Sequence, residues 1–150
     1  MSYNKLLYHI VWRPLHSKPV ISVENERDLY AYVVGIVKEK GGVCIRIGGM
    51  PDHVHMLLQL PPTISIADFM RDLKVSTSKF MKKNTVKFPY FEGWGKTYFV
   101  SSCSEECKES VRTYIINQKE HHKKVGYAEE MRQILHDCGI ELDERYAFLD

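Results

Sequence analysis

Two short stretches of the chain carry side chains that can do chemistry together. The first is Met50-Pro51-Asp52-His53-Val54-His55-Met56-Leu57-Leu58. In an extended strand side chains alternate between faces, so His53 and His55 share one face with Leu57 and Gln59. Val54, Met56, Leu58 and Leu60 then take the other. Two imidazoles about 7 Å apart at Cα can converge on one ion; equally, such a pair can rest on a wet sheet surface with no ligand. The second stretch is Thr113-Tyr114-Ile115-Ile116-Asn117-Gln118, where helical spacing stacks Tyr114 and Gln118 on one face. There a phenol fit to act as a nucleophile sits beside a neutral amide oxygen fit to help bind a cation. Equally, Tyr114 packs into a core with Cys107, Val111 and Ile115, and Gln118 is solvated.

The elements that must position these groups follow from periodicity. Leu6 to Arg13, Val43 to Ile47, Val54 to Leu60 and Thr97 to Ser101 are rich in β-branched and aromatic residues and are predicted strands. A helix opens near Ser22, carries Leu29, Val33, Ile36 and Val37 at helical spacing, and closes at Gly41-Gly42. A second, capped by Ser65, shows Ile66, Phe69, Met70, Leu73, Phe80 and Met81 on one face before Asn84. A third runs from about Ser104 to Lys123. The fourth, from about Tyr127 to Cys138, stops at Gly139. The order begins as a split β-α-β motif and predicts an α+β, ferredoxin-like (RRM-like) sandwich: a four-stranded antiparallel sheet with helices on one face, plus C-terminal helices. The apolar set of the histidine strand marks the helix-covered face, so the histidines lie on the other.

At 150 residues, 44% of them apolar, the chain is sized for one domain, with a core over about 1–124 and a C-terminal helix and acidic tail over about 125–150. A net charge of +2 does not by itself announce a nucleic-acid binder. The chain shows neither a leader pattern nor a membrane-length apolar run, which points to the cytoplasm. The scattered Cys44, Cys103, Cys107 and Cys138 then remain reduced and are expected as small core residues; Cys103 and Cys107 lack the spacing of a zinc knuckle.

Taken together, Pro51-Asp52-His53-Val54-His55 and Tyr114-x-x-x-Gln118 resemble the single-tyrosine HUH transposases of single-strand insertion sequences. These are the IS200-like enzymes, among them relatives associated with repetitive extragenic palindromes. Trp12-Arg13-Pro14, Gly93-Trp94-Gly95 leading into Tyr98-Phe99, and Asn117-Gln118-x-x-His121-His122 extend the resemblance to about Lys124, with no departure at His53, His55, Tyr114 or Gln118. It implies a DNA transposase that cleaves and rejoins single strands, with Tyr114 as the nucleophile of a 5′-phosphotyrosine intermediate. It also implies a divalent Mg2+ or Mn2+ held by His53, His55 and Gln118. The expected partner is single-stranded DNA with hairpin-bearing element ends, and the expected assembly is a homodimer whose tyrosine helix serves either its own or its partner's site. A tyrosine's ordinary pKa is about 10, so some group must take its proton; the sequence does not identify it.

From Asp68 to Lys87 six basic residues face two acids. Arg71, Lys74, Lys82 and Lys83 on this helix, with Trp94 beyond it, are candidate DNA contacts, the cations along the backbone and the indole, like Phe88, Tyr90 and Phe91, by stacking on bases. A solvated helix face and aromatics packed on the sheet edge are the alternatives. From Glu129 to Asp150 seven acids face two bases, which disfavours DNA there and suits a cap or subunit contact. A histidine-triad hydrolase needs a third histidine where Leu57 stands. An HUH replication initiator or relaxase, or a catalytically silent nucleic-acid-binding module, stays open.

Overall fold

The computed structural model describes residues 2–143; the last seven residues of the expected acidic tail lie outside the described residues. Strands β1 (Leu7–Pro14), β2 (Val43–Met50), β3 (His53–Gln59) and β4 (Trp94–Cys103) form one sheet in the order β2-β3-β1-β4, with every neighbouring pair antiparallel. Helix α1 (Glu26–Glu39) connects β1 to β2 and α2 (Ile66–Lys83) connects β3 to β4. This is the expected ferredoxin-like sandwich.

Local chemistry sets the element ends. Gly41 adopts φ +81° after α1, and the Gly42 N–H returns to the Val37 carbonyl, a turn that residues with a Cβ rarely make. The Ser65 hydroxyl accepts the Asp68 N–H at 3.1 Å and opens α2. Ile10 and Trp12 of β1 and Val54, Met56 and Leu58 of β3 bury against α1 and α2. Each such side chain contributes about 1.5–3 kcal/mol.

The opposite face is not wet. Helices α3 (Lys108–Ile116), α4 (Gln118–His121) and α5 (Tyr127–Asp137) close over it, so β1 and β3 are buried almost throughout. The single helix expected from Ser104 to Lys123 is interrupted at Asn117, a weak helix former whose ψ of 14° leaves the helical range. The cysteines also depart from expectation: Cys44 and Cys103 are half-buried, while Cys107 and Cys138 are exposed, because they lie at a short 3-10 turn and at the end of α5.

Helix α3 approaches the sheet closely at Gly48. A Cβ there would stand 3.1 Å from the Ile115 carbonyl oxygen, next to Tyr114. Gly48→Val is therefore expected to push α3 off β2 at a cost of about 1–3 kcal/mol. Thermal unfolding measures the loss, and faster amide exchange across Lys108–Ile116 reports the displaced helix; wild-type values for both would mean the approach is slack.

Candidate active site

His53 and His55 project from β3 toward α4 and α5, and both are fully buried. Each ring is aimed by its outer nitrogen. His53 Nδ1 lies 2.7 Å from Asp52 Oδ1, and His55 Nδ1 lies 2.9 Å from His9 Nε2 on the neighbouring strand. That leaves both Nε2 atoms facing inward. Gln118, at the start of α4, brings its Oε1 to 3.0 Å from His53 Nε2. Lys119 fixes this helix by donating to the Gly49 carbonyl and to Glu26 of α1. The Tyr114 ring packs edge-on against His55 at 5.6 Å between centroids. The four residues that sequence spacing singled out thus meet at one point.

His122, marked in the sequence only as part of the resemblance, stands at that point too, and two residues there were not singled out: His9 and, above all, Glu130. Glu130 comes from α5 and is 2% exposed. Its Oε1 lies 3.2 Å from both His53 Nε2 and His55 Nε2 and 3.0 Å from His122 Nε2. Its Oε2 accepts hydrogen bonds from the Tyr114 hydroxyl and, at 2.9 Å, from Gln118 Nε2. Sequence offered a sign of it: Tyr127, Glu130 and Ile134 fall at helical spacing, so a carboxylate interrupts the apolar stripe of α5. His122 is four residues from Gln118 and stacks over it, while His9 alternates with Val11 and Arg13 on the same strand face.

Burial and pairing set the protonation of the cluster. Burial pulls His9 down to about 3 and His55 down to about 4, so both are neutral at neutral pH. Burial opposes a charge on His53 as well, but hydrogen bonds to Asp52 and Glu130 outweigh it and lift its pKa to about 9. Burial also works against an ionised Glu130; the hydrogen bonds of His122, His53 and His55 reverse this and hold the carboxyl well below its usual range. Burial, then the bond to Glu130, raises the Tyr114 phenol above its ordinary value.

The donors fit a divalent cation. Two imidazole nitrogens with their far nitrogens occupied, an amide oxygen and a carboxylate oxygen stand close together, as they would around an ion bound at roughly 2.0–2.2 Å. His53, His55 and Glu130 are one of the described groups able to hold such an ion. Loading it must strip the proton from His53. Affinity for Mn2+ should therefore rise about tenfold per pH unit until pH approaches 9, with about one proton released per ion as read by calorimetry in two buffers. Flat affinity from about pH 6 to 8 would contradict the assignment of His53.

The basic stripe is elsewhere. Helix α2 packs on the opposite face of the sheet, the face that alternation along β3 marks as helix-covered, so Arg71, Lys74, Lys82 and Lys83 are not beside Tyr114. Arg71 pairs with Asp68 and Asp72, and Lys74 donates to the Gly95 and Lys96 carbonyls at 2.9 and 3.2 Å. Lys82 and Lys83 are exposed. Trp94 donates to Thr77 Oγ1 at 2.8 Å and packs against Trp12 and Phe91; Phe88 and Phe91 are buried, while Tyr90 is exposed. The aromatics thus serve mainly the core.

With this geometry in view, comparisons with known proteins are specific. Residues 2–118 match the family described as "Transposase IS200 like". The ISDra2 transposase TnpA of Deinococcus radiodurans is 29% identical over 118 residues, 76% of this chain and 84% of that protein. The transposase for insertion sequence element IS200 of Salmonella typhimurium is 28% identical over 120 residues, 77% of this chain and 78% of its own. A solved structure described as a transposase from Deinococcus radiodurans superposes with a TM-score of 0.60 at 30% identity, covering 78% of this chain and 93% of that one. The fold is also shared with a REP-associated tyrosine transposase solved bound to a REP hairpin, at a TM-score of 0.61, 12% identity, and 83% and 73% coverage.

Proposed function

The chain belongs to the IS200-like transposase family, whose members cut DNA and transfer the strand, and we propose that it does so with Tyr114 as nucleophile beside a divalent ion held by His53, His55 and Gln118. The observation that carries this is the meeting of these four side chains, from three separate elements, in one pocket. Tyr114 faces the histidines of its own chain, so the homodimer that the resemblance implies is not needed to complete the site.

The Tyr114 oxygen attacks the scissile phosphorus. The bond from phosphorus to the 3′ oxygen breaks, the phenol proton ends on the departing 3′-OH, and a 5′-phosphotyrosine remains. A second 3′-OH reverses the attack and rejoins a strand without ATP, because the phosphodiester energy is conserved. The ion, Mg2+ or Mn2+ by resemblance, supplies positive charge where the phosphoryl oxygens gain negative charge. His9 and Asp52 hold the two imidazoles in the orientation that leaves Nε2 for it. A groove whose lining includes Ser110, Thr113, Tyr114, Glu120, His121 and Lys124 opens on this side of the molecule and gives a strand access to Tyr114.

A tyrosine on a helix lying against a sheet reaches a splayed strand far more readily than a phosphate in regular duplex. The substrate is therefore single-stranded DNA, and likeness to the hairpin-bound neighbour supports a hairpin beside the cut. Among the described residues no helix is long and apolar enough to cross a membrane. The test compares one labelled strand alone, the same strand annealed to its complement, and a hairpin-bearing strand, all with Mn2+. Cleavage should be confined to the unpaired and hairpin forms. Equal cleavage of the duplex would overturn the substrate assignment and favour an enzyme that distorts its DNA.

A further inference from the structure

The match to the transposase family ends at Gln118, yet the centre of the pocket is occupied by a carboxylate twelve residues further on. We propose that Glu130 is a fourth protein ligand of the divalent ion and that the same carboxylate holds the Tyr114 hydroxyl, so that helix α5 closes on the site through the ion. This deepens the proposed function and rests on it.

The two oxygens of Glu130 divide the work. Oε1 lies within 3.2 Å of both inward-facing histidine nitrogens, the place a ligand atom takes around an ion already held by them. Oε2 points the other way and accepts from the Tyr114 hydroxyl and the Gln118 amide. A carboxylate bridging in this manner fixes the distance between ion and nucleophile, which is what an attack on a metal-bound phosphate requires.

The burial of Glu130 has no comparable structural return. α5 fully buries Glu130 and Met131, and its apolar anchorage is Met131 against Val11 and Phe99, with Tyr127, Ile134 and Leu135 half-buried around them. Spending the other buried position on an anion is costly unless positive charge meets it. His53, His55 and His122 each turn Nε2 to within 3.2 Å of Glu130 Oε1. A divalent cation at the convergence of His53, His55 and Glu130 would meet the carboxylate's charge when the imidazoles turn from donors into ligands. It would also tie α5 to the sheet.

The experiment uses the full chain and Mn2+ alone, without DNA. Calorimetry measures affinity for wild type, Glu130→Gln, His53→Ala and Glu129→Gln, the last an exposed neighbour that controls for lost charge. Glu130→Gln keeps the side chain's size and should fold, as circular dichroism will check. Glu130→Gln should weaken Mn2+ binding by on the order of 10–100-fold or more, with Glu129→Gln near wild type. Hydrogen exchange gives a second readout: Mn2+ should slow exchange across Tyr127–Asp137 in wild type and leave it unchanged in Glu130→Gln. If His53→Ala abolishes binding while Glu130→Gln binds as wild type does, or if Mn2+ does not slow α5 exchange in wild type, the proposal is overturned and the proposed function stands. Wild-type protein that binds no Mn2+ would overturn both.

Discussion

Tyr114→Phe is expected to abolish covalent attachment of DNA while the protein still folds. The substitution removes one oxygen from a half-buried ring that packs on His55 and His9. Glu130 keeps its bonds to Gln118 and to the histidines, so the lost hydrogen bond should cost only about 1 kcal/mol. The other hydroxyls nearby belong to Tyr127, whose ring lies 4.7 Å from that of His53, and to Ser110 and Thr113 of the groove; none of them is hydrogen-bonded to Glu130 as Tyr114 is. On a denaturing gel the wild-type protein should shift with labelled single-stranded DNA and the variant should not. An adduct that persists in Tyr114→Phe would assign the nucleophile elsewhere.

His53→Ala and His55→Ala should each lower Mn2+ affinity and the cleavage rate by at least about 100-fold. Each removes a nitrogen of the proposed metal site and leaves Glu130 facing one fewer partner. Binding of single-stranded DNA without metal should change little, because neither ring reaches the surface. Titration with Mn2+ and single-turnover cleavage separate the two effects. Cleavage at the wild-type rate in either variant would remove that histidine from the site; wild-type DNA binding lost along with cleavage would instead mean that the substitution unfolds the pocket.

What could be read from sequence was whatever depends on short-range period. Alternation along β3 put His53 and His55 on one face, and helical spacing put Tyr114 over Gln118; both relations hold because they are fixed by backbone geometry within a few residues. The caps at Ser65 and Gly41, and the whole of α5, were legible for the same reason. Which face of the sheet stays open was not, because it depends on where α3, α4 and α5 fold back. The stripe on α2 lies behind the sheet, on the helix-covered face that alternation along β3 already marks. Glu130 is 75 residues from His55, and its meeting with the histidines is a product of topology alone. Its segment looked like an acidic surface, where net charge argues against DNA; a single buried carboxylate is invisible to such an average. For Trp94, beside other aromatics, sequence left base stacking and packing on the sheet edge both open; its indole donates to Thr77 and packs on Trp12.

The most direct test of the account is to identify the residue that carries the DNA and the end by which it is carried. Wild-type protein is incubated with Mn2+ and a single strand labelled in one arm at its 3′ end and in the other at its 5′ end, then digested and mapped by mass spectrometry. The account predicts that the 3′ label travels with the protein, attached through a 5′-phosphate to Tyr114, and that the 5′-labelled fragment leaves with a free 3′-OH. Cleavage without a covalent product, attachment at another residue, or retention of the 5′ label would contradict it.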